Sequence, residues 1–217
     1  MTRTLIVSAF EPEIAPLRRL VPGRREIVLE PVGIGAIDAA VGAAGAIARA
    51  RPARIIFVGT AGIYGPAKEV GAAIGTAVVA GEIVCVSTSA LKGEAYLPEP
   101  MVMRVSTSRS LRAALAHGRA GQAGQAGRAG GLGVVACPLA ITRSAALGRR
   151  IALSTGAALE NLEAFAVARA AAAAGIPFAA VLGVANRVGP RGHEEWRRHH
   201  RAASRAACEL TARCLLS

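Results

Sequence analysis

Two apolar runs constrain this chain more than any other feature, RIIFVG at 54–59 and FAAVLGVA at 178–185. A strand with one wet face alternates apolar and polar side chains, whereas a strand covered on both faces can be apolar throughout. Neither run alternates, and both are far shorter than the roughly 20 apolar residues of a membrane-spanning helix. They read as interior strands of a sheet with helices on both sides. Covering helices are at hand. IDAAVGAAGAIARARP at 37–52 stops at a proline, and LENLEAFAVARAAAAAG at 159–175 ends on a glycine with Pro177 just beyond. Their small side chains suit close packing on a sheet.

The rest of the chain fills in the same plan. TLIVSAF (4–10) reads as a buried strand, followed by a helix over EIAPLRRL (13–20) that opens at Pro12 and is made less regular by Pro16. EIVLEPVGIG (26–35) is a strand ending in a glycine turn. GTAVVAGEIVCVSTSA (75–90), the weaker MVMRVSTS (101–108) and LGVVACPLA (132–140) have more strand character than helix, and 111–117 has helical character. HEEWRRHHRAASRAACELTARCLL (193–216) reads as a final helix. The low-complexity, glycine-rich stretch at 118–131 reads as a flexible surface loop within one domain. The expectation is a single α/β domain over 1–217, with a central mixed and partly curled β-sheet flanked by helices.

Composition removes several functions. The 217 residues carry a formal charge of +12, but only two of the cations are lysines, and the arginines are dispersed from Arg3 to Arg213. With aromatics at 3% and no basic helix interleaved with them, nucleic acid is not an expected partner. Cys85, Cys137, Cys208 and Cys214 form no CxxC pair and are not grouped with histidines, so free thiols in a reducing compartment are expected, without a metal site. The amino-terminal apolar stretch is too short for a signal peptide, and the longest apolar region, 164–184, is broken by Arg169 and by Gly175-Ile176-Pro177. A cytoplasmic protein with no membrane partner follows as the expectation.

Ligand groups in α/β sheets gather at strand ends, and three polar breaks qualify: Glu11/Glu13, Thr60-Ala61-Gly62 and Asn186. VGIGAID (32–38) is a partial dinucleotide fingerprint without its third glycine, against a plain strand-to-helix turn. In VGTAGIYG (58–65) small residues allow backbone amides close to a ligand, while Tyr64 can stack on a ring or fill the core. Glu160 and Glu163, three apart, share a helical face on this reading, with Asn161 as a candidate N-cap. Of Glu11 and Glu13, one reads as a surface acid and the other as a carboxylate able to activate water. The four histidines form no triad and read as surface residues, and the lone Trp196 reads as an anchor for the final helix or, alternatively, as a cover for the pocket.

These segments together resemble the nucleoside phosphorylase and nucleosidase superfamily, most closely the futalosine hydrolases of menaquinone biosynthesis. The resemblance is carried by VSAFEPEIAPL (7–17), VGIGAIDAA (32–40), FVGTAG (57–62) and, most specifically, ENLEAFAVARAAAAAGIPFAAVLGVANRVGPRGHEEW (160–196). It implies a nucleoside phosphorylase-like fold and hydrolysis of the N-ribosidic bond of futalosine, releasing hypoxanthine and dehypoxanthine futalosine. Related activities remain open: a methylthioadenosine/S-adenosylhomocysteine or aminodeoxyfutalosine nucleosidase, a purine nucleoside phosphorylase, or a noncatalytic nucleoside-binding protein. The implied catalytic set is Glu13, to position and deprotonate water, Glu163, to hold ribose hydroxyls, and Asn186, to address the purine. Thr60, Ala61, Gly62, Ile141, Thr142, Leu162 and Phe165 would line the pocket, and one of Arg143, Arg187 and Arg191, with Arg191 carried into the site, would meet a substrate carboxylate. No cofactor is implied. The partners implied are a small purine riboside and further copies of the chain, as a homodimer or higher homo-oligomer.

Overall fold

A computed structural model describes residues 3–65, 72–117 and 133–216, so the glycine-rich stretch at 118–131 lies outside the described residues. Eight strands form one sheet: β1 (Thr4–Ser8), β2 (Ile27–Pro31), β3 (Arg54–Ile63), β4 (Ala77–Val86), β5 (Arg104–Ser106), β6 (Gly133–Pro138), β7 (Ala157–Glu160) and β8 (Phe178–Arg187). The helices are α1 (Glu11–Leu20), α2 (Ala36–Ala50), α3 (Thr88–Lys92), α4 (Arg109–His117), α5 (Ala145–Thr155), α6 (Ala164–Ala173) and α7 (Gly192–Leu216).

β3 is the hub. Its first half pairs parallel with β1, its last two residues pair antiparallel with β7, and β8 runs parallel along its other edge. β8 also pairs with β4, β4 with β6, and β6 with β7. β3, β8, β4, β6 and β7 therefore close into a ring, with β1, β2 and β5 outside it. The curled sheet expected from the run of middle strands is here a closed one, which leaves these five strands fewer free edges.

The two apolar runs are buried on both faces, as their lack of alternation requires. Ile55 and Phe57 of β3 enter a core with Ala39, Ala43, Ala46 and Ala50 of α2 and with buried residues of α6. Ile56 and Val58 point the other way, into a core with Ile14 and Leu17 of α1 and Ala207 and Cys208 of α7. Small residues set how close the layers come. A Cβ on Gly183 of β8 would lie 2.0 Å from the Ala203 carbonyl oxygen of α7, and one on Gly42 of α2 would lie 2.0 Å from that of Val32. Both obstacles are backbone, which cannot step aside as a side-chain tip can.

Two expectations need correction, and one helix lies in a stretch for which no element was expected. The polar, arginine-bearing stretch at 145–155 is helix α5, started by Ser144, whose hydroxyl accepts from the Leu147 N–H. STSA leaves the strand of 75–90 and starts α3, capped in the same way by Ser87. Most consequential, LENLEA does not open a helix. Residues 157–160 form β7, and α6 begins only at Ala164. Helical propensity at 159–160 loses to strand pairing with β6 and β3, and residues 161–163 form the turn into α6, so Glu160 and Glu163 do not share a helix face.

Candidate active site

The strand ends around β3, β7 and β8 enclose a cavity of about 270 Å³. Glu13, in the first turn of α1, is only 4% exposed. Its Oε1 accepts two hydrogen bonds from Thr60, one from the backbone N–H at 2.9 Å and one from the hydroxyl at 2.7 Å. Its Oε2 is buried and has no hydrogen-bond partner. The Ala9 N–H favours the ionised form from nearby without reaching hydrogen-bonding geometry. Burial pushes the Glu13 carboxyl up to about 7, with the Thr60 hydroxyl opposing and the Glu163 charge reinforcing the shift.

Glu163, 5% exposed, lies just before α6. Asn161 organises it. The Asn161 Oδ1 accepts from the backbone N–H of Glu163 at 2.9 Å and of Ala164 at 2.7 Å, although the N-cap position itself belongs to Glu163 and not, as expected, to Asn161. Its Nδ2 donates to the Thr60 carbonyl at 3.0 Å and to Glu163 Oε2 at 3.2 Å. Glu163 Oε1 accepts from the Gly35 N–H at 2.9 Å. Gly35 has φ 84°, a conformation that favours glycine. The VGIG segment is thus a strand-to-helix turn whose free N–H serves a carboxylate. Burial raises the Glu163 carboxyl, against the opposing pull of these donors.

A register shift between Ala61 and Gly62 puts Gly62 opposite Asn186, with Ala185 as the extra residue on β8. Asn186 is the penultimate residue of that strand. A Cβ on Gly62 would come within 3.0 Å of Asn186 Nδ2 and 2.8 Å of Val188 Cγ2, so glycine there leaves room for the amide. Asn186 Nδ2 donates to the Arg187 carbonyl at 2.9 Å.

A match decides the family. The sequence model of the phosphorylase superfamily matches residues 11–216. The chain belongs to the phosphorylase superfamily. Solved structures agree with this superfamily fold. Futalosine hydrolase of Helicobacter pylori superposes with a TM-score of 0.85 at 17% identity, covering 99% of this chain and 97% of that one. The 5'-methylthioadenosine/S-adenosylhomocysteine nucleosidase of Neisseria meningitidis, in complex with methylthio-immucillin-A, gives 0.83 at 20% identity and covers 99% of both chains. The S-adenosylhomocysteine nucleosidase of Streptococcus pyogenes, in complex with 5-methylthiotubericidin, gives 0.83 at 19%. No curated protein matches the sequence.

In this superfamily member the residues singled out from sequence are not all at the cavity. Glu13, Thr60, Ala61, Gly62, Ile141, Leu162, Glu163 and Asn186 line it. Three do not. Thr142 is buried, and its N–H donates to Glu160 Oε1 at 3.0 Å. Phe165 packs against the hydrophobic core, and Arg191 is exposed outside the lining. Tyr64 belongs to a small core cluster, its hydroxyl bonded to Glu160 Oε2 at 2.5 Å.

Of the two readings of Trp196, helix anchor and pocket cover, the second describes its place at the cavity. Trp196 lines the cavity beside Phe10 and His193, and its indole N–H donates to the Thr60 hydroxyl at 3.0 Å. His193 and His200 stack on it, with ring centroids 5.9 and 4.5 Å away. Sequence reasoning also passed over Phe10 and Ile34, both in the lining. Both lie inside segments that were singled out, VSAFEPEIAPL (7–17) and VGIGAIDAA (32–40), and that was the available signal. Among the described residues no group of three His, Cys, Asp or Glu is disposed to hold a metal, and no helix is long and apolar enough to cross a membrane. The four cysteines are free thiols.

Proposed function

We propose that this chain hydrolyses the N-ribosidic bond of a purine riboside. The observation that carries the reading is Glu13 Oε2, a buried carboxylate oxygen without a partner, on a cavity shared with Glu163 and Asn186. An acid held near 7 is matched to proton transfer at neutral pH. In the proposed step a water oxygen bonds to C1′, the bond from C1′ to the base breaks, and a water proton passes to Glu13 Oε2. The ribosyl group becomes electron-poor as the bond opens. Each Glu163 oxygen, though already accepting one hydrogen bond, has further acceptor capacity for sugar hydroxyls. Asn186 spends one amide N–H on the Arg187 carbonyl, which leaves its second N–H for N7 or O6 of a 6-oxopurine.

Within that class the proposed substrate is futalosine, with hypoxanthine departing, in menaquinone biosynthesis in the cytoplasm. Support comes from the resemblance of segment 160–196 and from the donor character of Asn186. One observation favours a second reading. Phe10, Ile34, Ile141 and Trp196 give the cavity an apolar wall, and its lining contains no Arg or Lys among the described residues. That wall suits the uncharged 5′-thio substituent of methylthioadenosine better than a carboxylate. The same lack of cations speaks against phosphorolysis, which needs a grip on a phosphate dianion. The proposal includes a homo-oligomer, because Ile34 and Ile141 at the cavity are 63% and 55% exposed and call for apolar cover.

The test is base release from futalosine, aminodeoxyfutalosine, inosine and methylthioadenosine, with and without phosphate. Phosphate-independent release, fastest from futalosine, is the expected result. Fastest release from methylthioadenosine would select the second reading. Phosphate-dependent formation of ribose 1-phosphates, or no release at all, would overturn hydrolysis.

A further inference from the structure

Trp196, Thr60 and Glu13 form a chain of hydrogen bonds with only one consistent set of protons. An indole N–H is a donor and never an acceptor, so in the 3.0 Å bond the Thr60 hydroxyl oxygen must accept. The hydroxyl's own proton is then left for its other partner, Glu13 Oε1, at 2.7 Å. Oε1 also accepts the Thr60 backbone N–H at 2.9 Å. A proton placed on Oε1 would leave the Thr60 hydroxyl proton without an acceptor, at a site where buried polar groups need partners. The two carboxylate oxygens are therefore unequal. Oε1 is held as an acceptor, and Oε2, buried and unpartnered, is where a proton is gained or lost.

We propose that Trp196 is a positioning residue for the general base: its indole N–H locks the Thr60 hydroxyl as a donor to Glu13 Oε1 and so assigns proton transfer to Oε2. The inference rests on the hydrolase reading of Glu13. Trp196 is well placed to hold this orientation. It sits early in α7, stacks with His193 and His200, and its ring centroid lies 6.4 Å from that of Phe10, so its plane is fixed by neighbours on its own helix and in the turn between β1 and α1. The ionisable groups around Glu13 are Glu163, whose charge it feels, and the Cys208 thiol of α7, which donates to the Glu13 carbonyl oxygen at 3.2 Å. Glu160 and His193 line the same cavity, and His200 stacks on Trp196.

Because Trp196 is the only tryptophan, its indole N–H gives a single resonance in a nitrogen-correlated NMR spectrum. The relay requires that resonance to shift with pH as Glu13 ionises. The transition should persist when His193 and His200 are both replaced by Gln, and vanish in Glu13→Gln and in Thr60→Val. In kinetics, Trp196→Phe keeps an aromatic ring but removes the donor. It is expected to lower kcat about tenfold with KM nearly unchanged, since a hydrogen bond feeding a charged group is at stake. It should also move the acidic limb of the pH profile upward by about half a unit, because the weakened Thr60 donor holds the carboxylate less well. In a Thr60→Val background, Trp196→Phe should then cost little more. An indole transition that survives Glu13→Gln, or losses from Trp196→Phe and Thr60→Val that simply multiply, would overturn the relay. If the wild-type protein releases no base from any nucleoside in the panel, the hydrolase reading falls, while the indole resonance still decides whether the three residues are coupled.

Discussion

Glu13→Gln should make the protein more stable at alkaline pH while abolishing turnover. The carboxyl ordinarily ionises at 4.5, and in the folded protein it is raised to about 7 by burial. Below 4.5 it is protonated in both folded and unfolded chains, and the stability of the neutral form is fully present. Between 4.5 and about 7 the folded state binds more protons than the unfolded one, so stability falls as pH rises. At about 1.4 kcal/mol per pH unit, the interval from 4.5 to about 7 amounts to about 3 kcal/mol lost once the group is ionised in the fold. Glutamine keeps the oxygen that accepts from Thr60 and never ionises, so it escapes that loss. The gain of Glu13→Gln over wild type should be about 3 kcal/mol larger at about pH 8 than at about pH 4. For a domain of this size that is about 6–12 °C in melting temperature. Urea unfolding across the range, at constant ionic strength, measures it. Parallel stability curves for the two proteins would refute the assignment of Glu13 as a carboxyl raised by desolvation.

Glu163→Gln should behave in the opposite way. Both Glu163 oxygens face donors, the Gly35 N–H and the Asn161 amide, so either rotamer of the new amide sets N–H against N–H. A loss of about 1–3 kcal/mol is expected in urea unfolding at neutral pH, together with a fall in kcat, and unchanged stability would count against this network. Gly183→Ala tests the close approach of β8 and α7, where the new Cβ would meet the Ala203 carbonyl at 2.0 Å. Destabilisation of about 3 kcal/mol or more, or failure to give soluble protein, is expected from such overpacking, and a wild-type melting curve would show that the helix can move away cheaply.

Much of the architecture was legible because local signals and burial agreed. Continuous apolar runs at 54–59 and 178–185 could only be strands covered on both faces, and the glycine and proline stops bounded the helices beside them. Stretch 159–163 is not helical because its helix-forming composition is a weak preference, and pairing of residues 159–160 with β6 and β3 outweighs it. Helix α5 was missed because its amphipathic pattern is blurred by polar residues, and only Ser144 marks its start. Glu163, beside Leu162, Phe165 and Ala166, stood out as a carboxylate among apolar neighbours, a cue that works because an unpaired buried charge is costly, whereas only the family resemblance separated Glu13 from Glu11. Trp196 gave no comparable cue. An indole fits a helix anchor and a cavity wall equally well, and its partner, Thr60, is 136 residues away.

The sequence by itself determined the layering, since hydrophobic periodicity is a local property that dictates which faces must leave water. Closure of the five-strand ring was decided only in the folded chain, because β8 must pair with β3 and β4 at once. The same holds for the separate fates of the two Glu13 oxygens. Those depend on Thr60 and Trp196 arriving from β3 and α7, a convergence in space that no spacing along the chain encodes.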